Sequence, residues 1–168
     1  MNAFDLLVLR HQGLVRAVLH RVVNDAHDAE DVAQETFIRV LRSAGRFEGR
    51  ASPLTWILKI ATNLARDRQR RKNREIPTVP LDEAGPERLN APAWTGPPAA
   101  LSLKETSQAL ARALEMLPFK QRAALSLKID AELSSAEIAA VLETSVNAVK
   151  ANVHLARRRL IEKLGERL

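Results

Sequence analysis

The sequence contains no cysteine and no tyrosine, and aromatic residues occupy only 4% of its 168 positions. Without thiols the chain can form neither disulfides nor thiolate metal sites. No apolar run approaches the roughly 20 residues of a membrane helix. The N-terminus, MNAFDLLVLRHQ, lacks the basic segment and apolar block of a signal peptide. Because 46% of the residues are apolar, the chain can bury a core. Together with the missing cysteines, membrane helix and signal peptide, this leads us to expect a soluble, cytoplasmic protein.

The abundance of Ala, Leu, Arg and Glu predicts an all-α fold. Helical periodicity covers residues 2–23 and resumes in the acidic segment DAHDAEDVAQE; Ser52-Pro53 then predicts the start of another helix. Six of the eight prolines follow within residues 76–100. The chain is therefore expected to form two small helical domains, residues 1–75 and 102–168, joined by a flexible Pro-rich linker at 76–101. Trp94 in this linker either docks on a domain or partner or is merely exposed.

The segment from Leu133 to Leu164 has the pattern of two helices joined by a short turn. Ser134 and Glu137 form a capping box for the first helix, and Ser145 can cap the second. A tight turn followed by a longer basic helix favours a helix-turn-helix, whose second helix enters the DNA major groove. An ordinary helical hairpin with a solvated basic face fits this segment equally well.

Charge is distributed unevenly along this basic chain, which carries a net charge of +6. Residues Arg66 to Arg74 contain six cations, which could be a solvated helix end or contacts to phosphates. A cluster of acidic residues, in the helix that follows Asn24-Asp25, is a candidate docking surface for a basic partner. Its carboxylates are Asp28, Glu30, Asp31 and Glu35.

No residue pattern points to an enzyme. The four histidines (11, 20, 27 and 154) fall at no metal-ligand spacing, and the sequence has no glycine-rich phosphate loop. We therefore expect no catalytic residue, no cofactor and no metal site. A membrane-surface role would require bulky aromatics beside the cations, which the Arg66–Arg74 run lacks.

Two motifs, in order, resemble those of the bacterial extracytoplasmic-function (ECF) sigma factors. The first is D-A-E-D-x-x-Q-E-T-F, followed by R-F-x-G and T-W-I-x-x-I-A-x-N-x-x-x-D; it resembles sigma region 2. The second is L-P-x-x-Q-R before the helix-turn-helix, which resembles region 4. The resemblance covers nearly the whole chain apart from the linker. It implies a subunit that binds core RNA polymerase and directs promoter-specific initiation through −10 and −35 DNA elements.

The resemblance also implies roles for individual residues. The helix that docks core polymerase would present Asp28, Asp31, Gln34, Glu35 and Arg39. The −10 element would be held by Phe47, Arg50, Ser52, Asn63, Arg66 and Arg70, with the Asn63 amide on a base flipped from the stack. Trp56 is expected to pack in the core. The −35 element would face Ser145, Asn147, Lys150, Ala151, Asn152, His154, Arg157 and Arg158.

Two departures from the family pattern fall in the helix-turn-helix. Glu143 stands where the family usually has Gly, at a turn position that favours left-handed backbone. Asn152 and Leu155 replace cations in the helix that would read DNA. The family also implies an anti-sigma partner. Two other functions fit parts of the sequence: a plain helix-turn-helix regulator, and a sigma mimic that binds only an anti-sigma protein.

Overall fold

The computed structural model describes residues 2–75 and 103–165, and these residues form seven α-helices and one 3-10 turn, with no strand. The all-α prediction is confirmed. The predicted linker, including Trp94, lies outside the described residues. The N-terminal unit comprises α1 (Ala3–Val22), α2 (Ala26–Ser43), the 3-10 turn (Ala44–Arg46) and α3 (Pro53–Glu75). The C-terminal unit comprises α4 (Leu103–Glu115), α5 (Phe119–Ile129), α6 (Ser135–Leu142) and α7 (Val146–Gly165).

Local side-chain caps fix the helix starts, and the sequence predicted those at Ser52 and Ser134. Asp25 accepts a hydrogen bond from the backbone N–H of Asp28 at the start of α2. Ser52 accepts one from Thr55 at 3.1 Å, so that α3 begins at Pro53. The capping box of Ser134 with Glu137 is formed in full and starts α6. Because each cap satisfies backbone donors that have no partner in the helix, these residues set where each helix begins.

The N-terminal unit packs α1, α2 and α3 against one another around buried aliphatic side chains. Val15, Leu19, Val40, Ile57 and Ala61 are fully buried there. In α1 and α3 the apolar positions recur at helical spacing, so that one stripe of each helix faces the core. This core holds α2 beside α3 and fixes which residues of both helices remain on the surface.

The two units are packed together through a continuous apolar core, an arrangement that the sequence left open. Helix α1 lies against α5, and α3 lies against α6. Polar contacts also cross between the units: Arg21 Nε lies 2.9 Å from a carboxylate oxygen of Asp130. Lys59 Nζ lies 3.2 Å from the carboxylate of Glu143. Within the described ranges, no helix is long and apolar enough to cross a membrane.

Candidate nucleic-acid interface

One side of α7 is exposed and carries most of the predicted −35 residues. The opposite side buries Val149 and Ala156 against the C-terminal unit. Ser145 is the N-cap, because its Oγ accepts a hydrogen bond from the backbone N–H of Ala148 at 3.1 Å. A polar, basic helix face that follows a tight turn has the geometry of a helix that enters the major groove. The exposed side presents Asn147, Lys150, Ala151, His154, Arg157 and Arg158.

Asn152 is turned away from this exposed side. Its side-chain amide is partly buried and donates a hydrogen bond to the backbone carbonyl of Ala148 at 2.9 Å. Because this rotamer directs the amide away from the exposed side, the side chain must leave that rotamer before the amide N–H and oxygen together can hold a base edge. The predicted −35 residues of α7 therefore differ: Asn152 bonds to its own helix, whereas the others are exposed on the outer side.

The turn of the helix-turn-helix has left-handed backbone at Glu143, with φ 52° and ψ 52°. This agrees with the expectation drawn from the Gly that the family has at this position. The conformation lets the N–H of Thr144 bond to the carbonyl of Ala139 at 3.0 Å and so closes the end of α6. The Glu143 side chain is about half exposed and reaches Lys59 of α3. The turn therefore lies directly on the N-terminal unit.

Asp28, one of the predicted polymerase-docking residues, is bonded within its own unit. Arg68 Nε donates to its Oδ1 at 3.0 Å, and Lys72 Nζ donates to its Oδ2 at 3.1 Å. Only 14% of the Asp28 side chain is exposed. The hydrogen bonds from Arg68, and then those from Lys72, hold the pKa of this carboxyl below its usual value. Asp31 also approaches Arg68 at 3.3 Å but remains about half exposed.

The other charged side chains of α2 point in different directions. Glu30 faces α1, where it lies 3.4 Å from Arg16 Nε. Gln34 is exposed, and Arg39 Nε donates to Glu35 at 2.8 Å on the outer surface. The acidic cluster seen in the sequence is thus split between internal pairing and an outer edge. Beside that edge, a cleft of about 300 Å³ between α2 and α3 is lined by Asp31, Val32, Glu35, Arg39, Leu64, Asp67, Arg68 and Arg71.

The loop before α3 carries three of the six predicted −10 residues, Phe47, Arg50 and Ser52, and the other three lie further along α3. The ring centroids of Phe47 and Trp56 lie 4.9 Å apart, and Trp56 packs on the core, as predicted. Ser52 is committed to the cap of α3. Arg50 is exposed and lies 2.7 Å from Glu48. The two aromatic rings therefore anchor the loop and leave Arg50 at its surface.

Asn63 is half-buried and lies between Lys59 and Arg66 along one side of α3. The Arg66 guanidinium lies 6.0 Å from the centre of the Phe119 ring in α5, a cation–π geometry. Its Nε is buried and forms no hydrogen bond within the described structure. Arg70, one turn after Arg66, is exposed. Lys59 and Arg66, which flank Asn63 on this side of the helix, thus both contact the C-terminal unit.

Arg122 is a structurally central residue that the sequence reasoning passed over. It is only 2% exposed, and it donates to the carbonyls of Val22 at 3.0 Å, Leu117 at 2.9 Å and Glu115 at 3.2 Å. Burial lowers the pKa of its guanidinium. The adjacent Gln121 accepts a hydrogen bond from Arg159 of α7 at 3.1 Å. The L-P-x-x-Q-R motif was the available signal, and its last two residues join α4, α7 and the N-terminal unit.

Comparison with known proteins places both units in one family. The sigma-70 region 2 model matches residues 7–75, and the sigma-70 region 4 model matches residues 107–160. The RNA polymerase sigma-H factor of Pseudomonas aeruginosa is 31% identical over 167 residues, which cover 97% of this chain and 86% of that protein. The ECF RNA polymerase sigma-E factor of Escherichia coli is also 31% identical, with 97% and 87% covered.

Solved structures agree with this comparison. The sigma factor RpoE in complex with the anti-sigma factor NepR, from Bartonella quintana, is 25% identical to this chain and matches it with a TM-score of 0.76, covering 98% of both chains. CnrH in complex with the cytosolic domain of CnrY matches with a TM-score of 0.69 at 25% identity, covering 98% of this chain and 88% of that one.

Proposed function

This chain belongs to the family of ECF RNA polymerase sigma factors, and we propose that it binds core RNA polymerase and directs promoter-specific initiation of transcription. The observation that carries this proposal is the match of two sigma-70 regions, in order, to the two helical units. Relatives along almost the full length support it. The protein would act in the cytoplasm as a binding subunit, with no chemistry of its own.

Docking to the polymerase would use the outer edge of α2. Gln34, Glu35 and Arg39 lie on its surface, and Asp31 is half exposed beside them. Asp28 would act indirectly, because its bonds to Arg68 and Lys72 hold α2 in position against α3. A basic partner surface would find complementary charge at this edge.

Recognition of the −10 element would use the loop before α3 and the exposed side of that helix. We assign the base-holding role to Asn63, whose amide can both donate to and accept from the edge of an unstacked base. Phe47 and Ser52 would act by shaping the loop, since both already serve internal contacts. The cations would contact phosphates and fix the position of the strand; they are Arg50, Arg66 and Arg70.

Recognition of the −35 element would use the exposed side of α7. Lys150 and Asn147 lie near its N-terminus, which is the part of a recognition helix that reaches base edges. His154, Arg157 and Arg158 extend the same side along the groove and toward the backbone phosphates. The division into a region 2 domain at 1–75, a linker at 76–101 and a region 4 domain at 102–168 remains part of this proposal.

The packed arrangement of the units is incompatible with simultaneous binding to both elements. Elements centred near −35 and −10 lie about 25 base pairs apart, which is about 85 Å at 3.4 Å per pair. In the structure, α6 of the helix-turn-helix lies directly on α3. We therefore propose that the C-terminal unit leaves α3 when the chain joins polymerase and promoter.

An anti-sigma protein is the partner that we propose for the packed form. Two solved structures that match almost all of this chain are complexes: one of the sigma factor RpoE with the anti-sigma factor NepR, and one of CnrH with the cytosolic domain of CnrY. A pull-down of the tagged chain from its native host would test this proposal. The absence of any stoichiometric partner in cells that are not transcribing from its promoters would count against it.

Run-off transcription with purified core polymerase and a library of promoter fragments tests the main proposal. We expect new start sites that require the chain and that fall tenfold or more in Asn63→Ala. Asn73→Ala is the matched control, because Asn73 is an exposed amide further along the same helix. Binding to core without transcripts would favour the sigma mimic. Failure to bind core at all would overturn the proposal and favour the plain regulator.

A further inference from the structure

Two apolar side chains interrupt the polar, exposed side of α7. Ala151 is exposed, and Leu155, one turn later, is 40% exposed. Both lie beside His154, and the cations Lys150 and Arg158 flank them on the same helix. The helix therefore presents a small apolar surface within its most basic face.

This apolar surface does not belong to the core of the C-terminal unit. At about 100° per residue, Ala151 and Leu155 lie about 200° and about 240° around the helix from the buried Val149. The core-facing stripe runs instead through Val149, Val153 and Ala156. Asn152, the neighbouring polar side chain, bonds to the Ala148 carbonyl and leaves this surface uncovered.

We propose that Ala151 and Leu155 read the C5-methyl group of thymine in the −35 element, a proposal that rests on the function proposed above. The major-groove edges of the four bases present donors and acceptors, and thymine alone adds an apolar methyl. Leucine can neither donate nor accept a hydrogen bond. A cytosine amino group pressed against it would lose water without gaining a partner, which disfavours that base.

The size of the effect follows from one buried methyl group. Burial of one methylene-sized group contributes about 0.8 kcal/mol, which corresponds to about fourfold in binding because 1.4 kcal/mol is tenfold. Replacing thymine by deoxyuridine removes this methyl and nothing else. We therefore expect about a fourfold loss at each thymine that these residues contact.

The test uses holoenzyme, formed from the full chain and core polymerase, on fragments whose upstream element has been selected from a randomised library. Each thymine of the selected element is then replaced in turn by deoxyuridine, and binding is measured by competition. We expect one or two positions to lose about fourfold with the wild-type chain, and the position that Leu155 contacts to lose nothing with Leu155→Ala. Ile161→Ala, at an exposed apolar residue further along α7, should keep the wild-type pattern.

A second variant tests the same contact by changing its chemistry. Leu155→Arg should shift the preferred base at that position to guanine, because arginine bonds to its O6 and N7 atoms together. Specific holoenzyme binding that is indifferent to every deoxyuridine would overturn the methyl readout alone. A loss in Leu155→Ala that equals the wild-type loss at every sensitive position would assign the methyl contacts to other groups and overturn the readout by Leu155 as well. A holoenzyme that selects no upstream element would overturn both this inference and the proposed −35 role.

Discussion

Tying the two units together should block initiation, because the packed form cannot span a promoter. The sequence contains no cysteine, so Lys59→Cys with Glu143→Cys introduces the only two thiols. The charged atoms of the native pair lie 3.2 Å apart, which brings the two positions within reach of a short bismaleimide. If the bismaleimide contains an internal disulfide, dithiothreitol can reverse the cross-link.

The expected magnitude follows from the geometry. Helix α3 has 23 residues and is therefore about 35 Å long at 1.5 Å per residue. The two promoter elements lie about 85 Å apart along the duplex. With α6 tied to α3, the protein can reach one element at most. Run-off transcription from a promoter that requires its −35 element should fall to background and return to the uncross-linked level after reduction.

The controls distinguish the effect of the cross-link from damage caused by the reagent. Each single-cysteine variant, treated with the same reagent, should transcribe as before treatment. Cross-linked monomer is isolated by gel filtration, and its mass is checked before the assay. Full transcription by the intact cross-linked monomer would refute the reasoning, because it would show that the packed form itself starts transcription.

Three further predictions concern stability. Arg122→Met leaves several buried carbonyls without a donor, which costs about 1–3 kcal/mol each. Urea denaturation should therefore show a free energy of unfolding lower by about 3 kcal/mol or more. An equal decrease in Arg112→Met, at an exposed arginine, would contradict this. Because Asp28 has a lowered pKa in the folded state, its stabilising contribution is complete above the ordinary aspartate pKa and is lost as the pH falls through the folded value. The Asp28→Asn variant should therefore show a shallower loss of stability in acid, and an unchanged acid limb would be the contrary result. In a Lys59→Met background, which removes the ion pair with Glu143, Glu143→Gly should raise the free energy of unfolding by about 1 kcal/mol, because glycine adopts left-handed backbone without strain. An unchanged free energy would show that the turn is unstrained.

The helices and their starts could be predicted because their signals are local. Ser134 and Glu137 are three residues apart, and the capping box between them depends on little else. Ser52 and Pro53 likewise mark the start of α3 within two positions. The left-handed turn at Glu143 was visible only through the resemblance, since nothing in the neighbouring residues demands it.

The pairing of side chains across the fold could not be predicted from local patterns. Asp28 looked like a surface acid because its partner, Arg68, lies 40 residues further along the chain. Arg122 bonds to Val22, 100 residues earlier, and helical periodicity does not mark a buried arginine. Asn152 has the residue type of a base reader, but its rotamer directs it to its own helix.

The internal pairing of α3 changes how the protein should respond to salt. Six cations lie between Arg66 and Arg74, but Arg68 and Lys72 are bonded to Asp28, and Arg66 lies over an aromatic ring. Each phosphate neutralised on duplex DNA releases about 0.9 condensed counterions. The aromatic ring belongs to the C-terminal unit, so that Arg66 is freed when this unit leaves α3. If Arg68 and Lys72 keep their bonds to Asp28, promoter binding should release about two fewer ions than the charge of the segment implies, and its affinity should fall less steeply as salt is added.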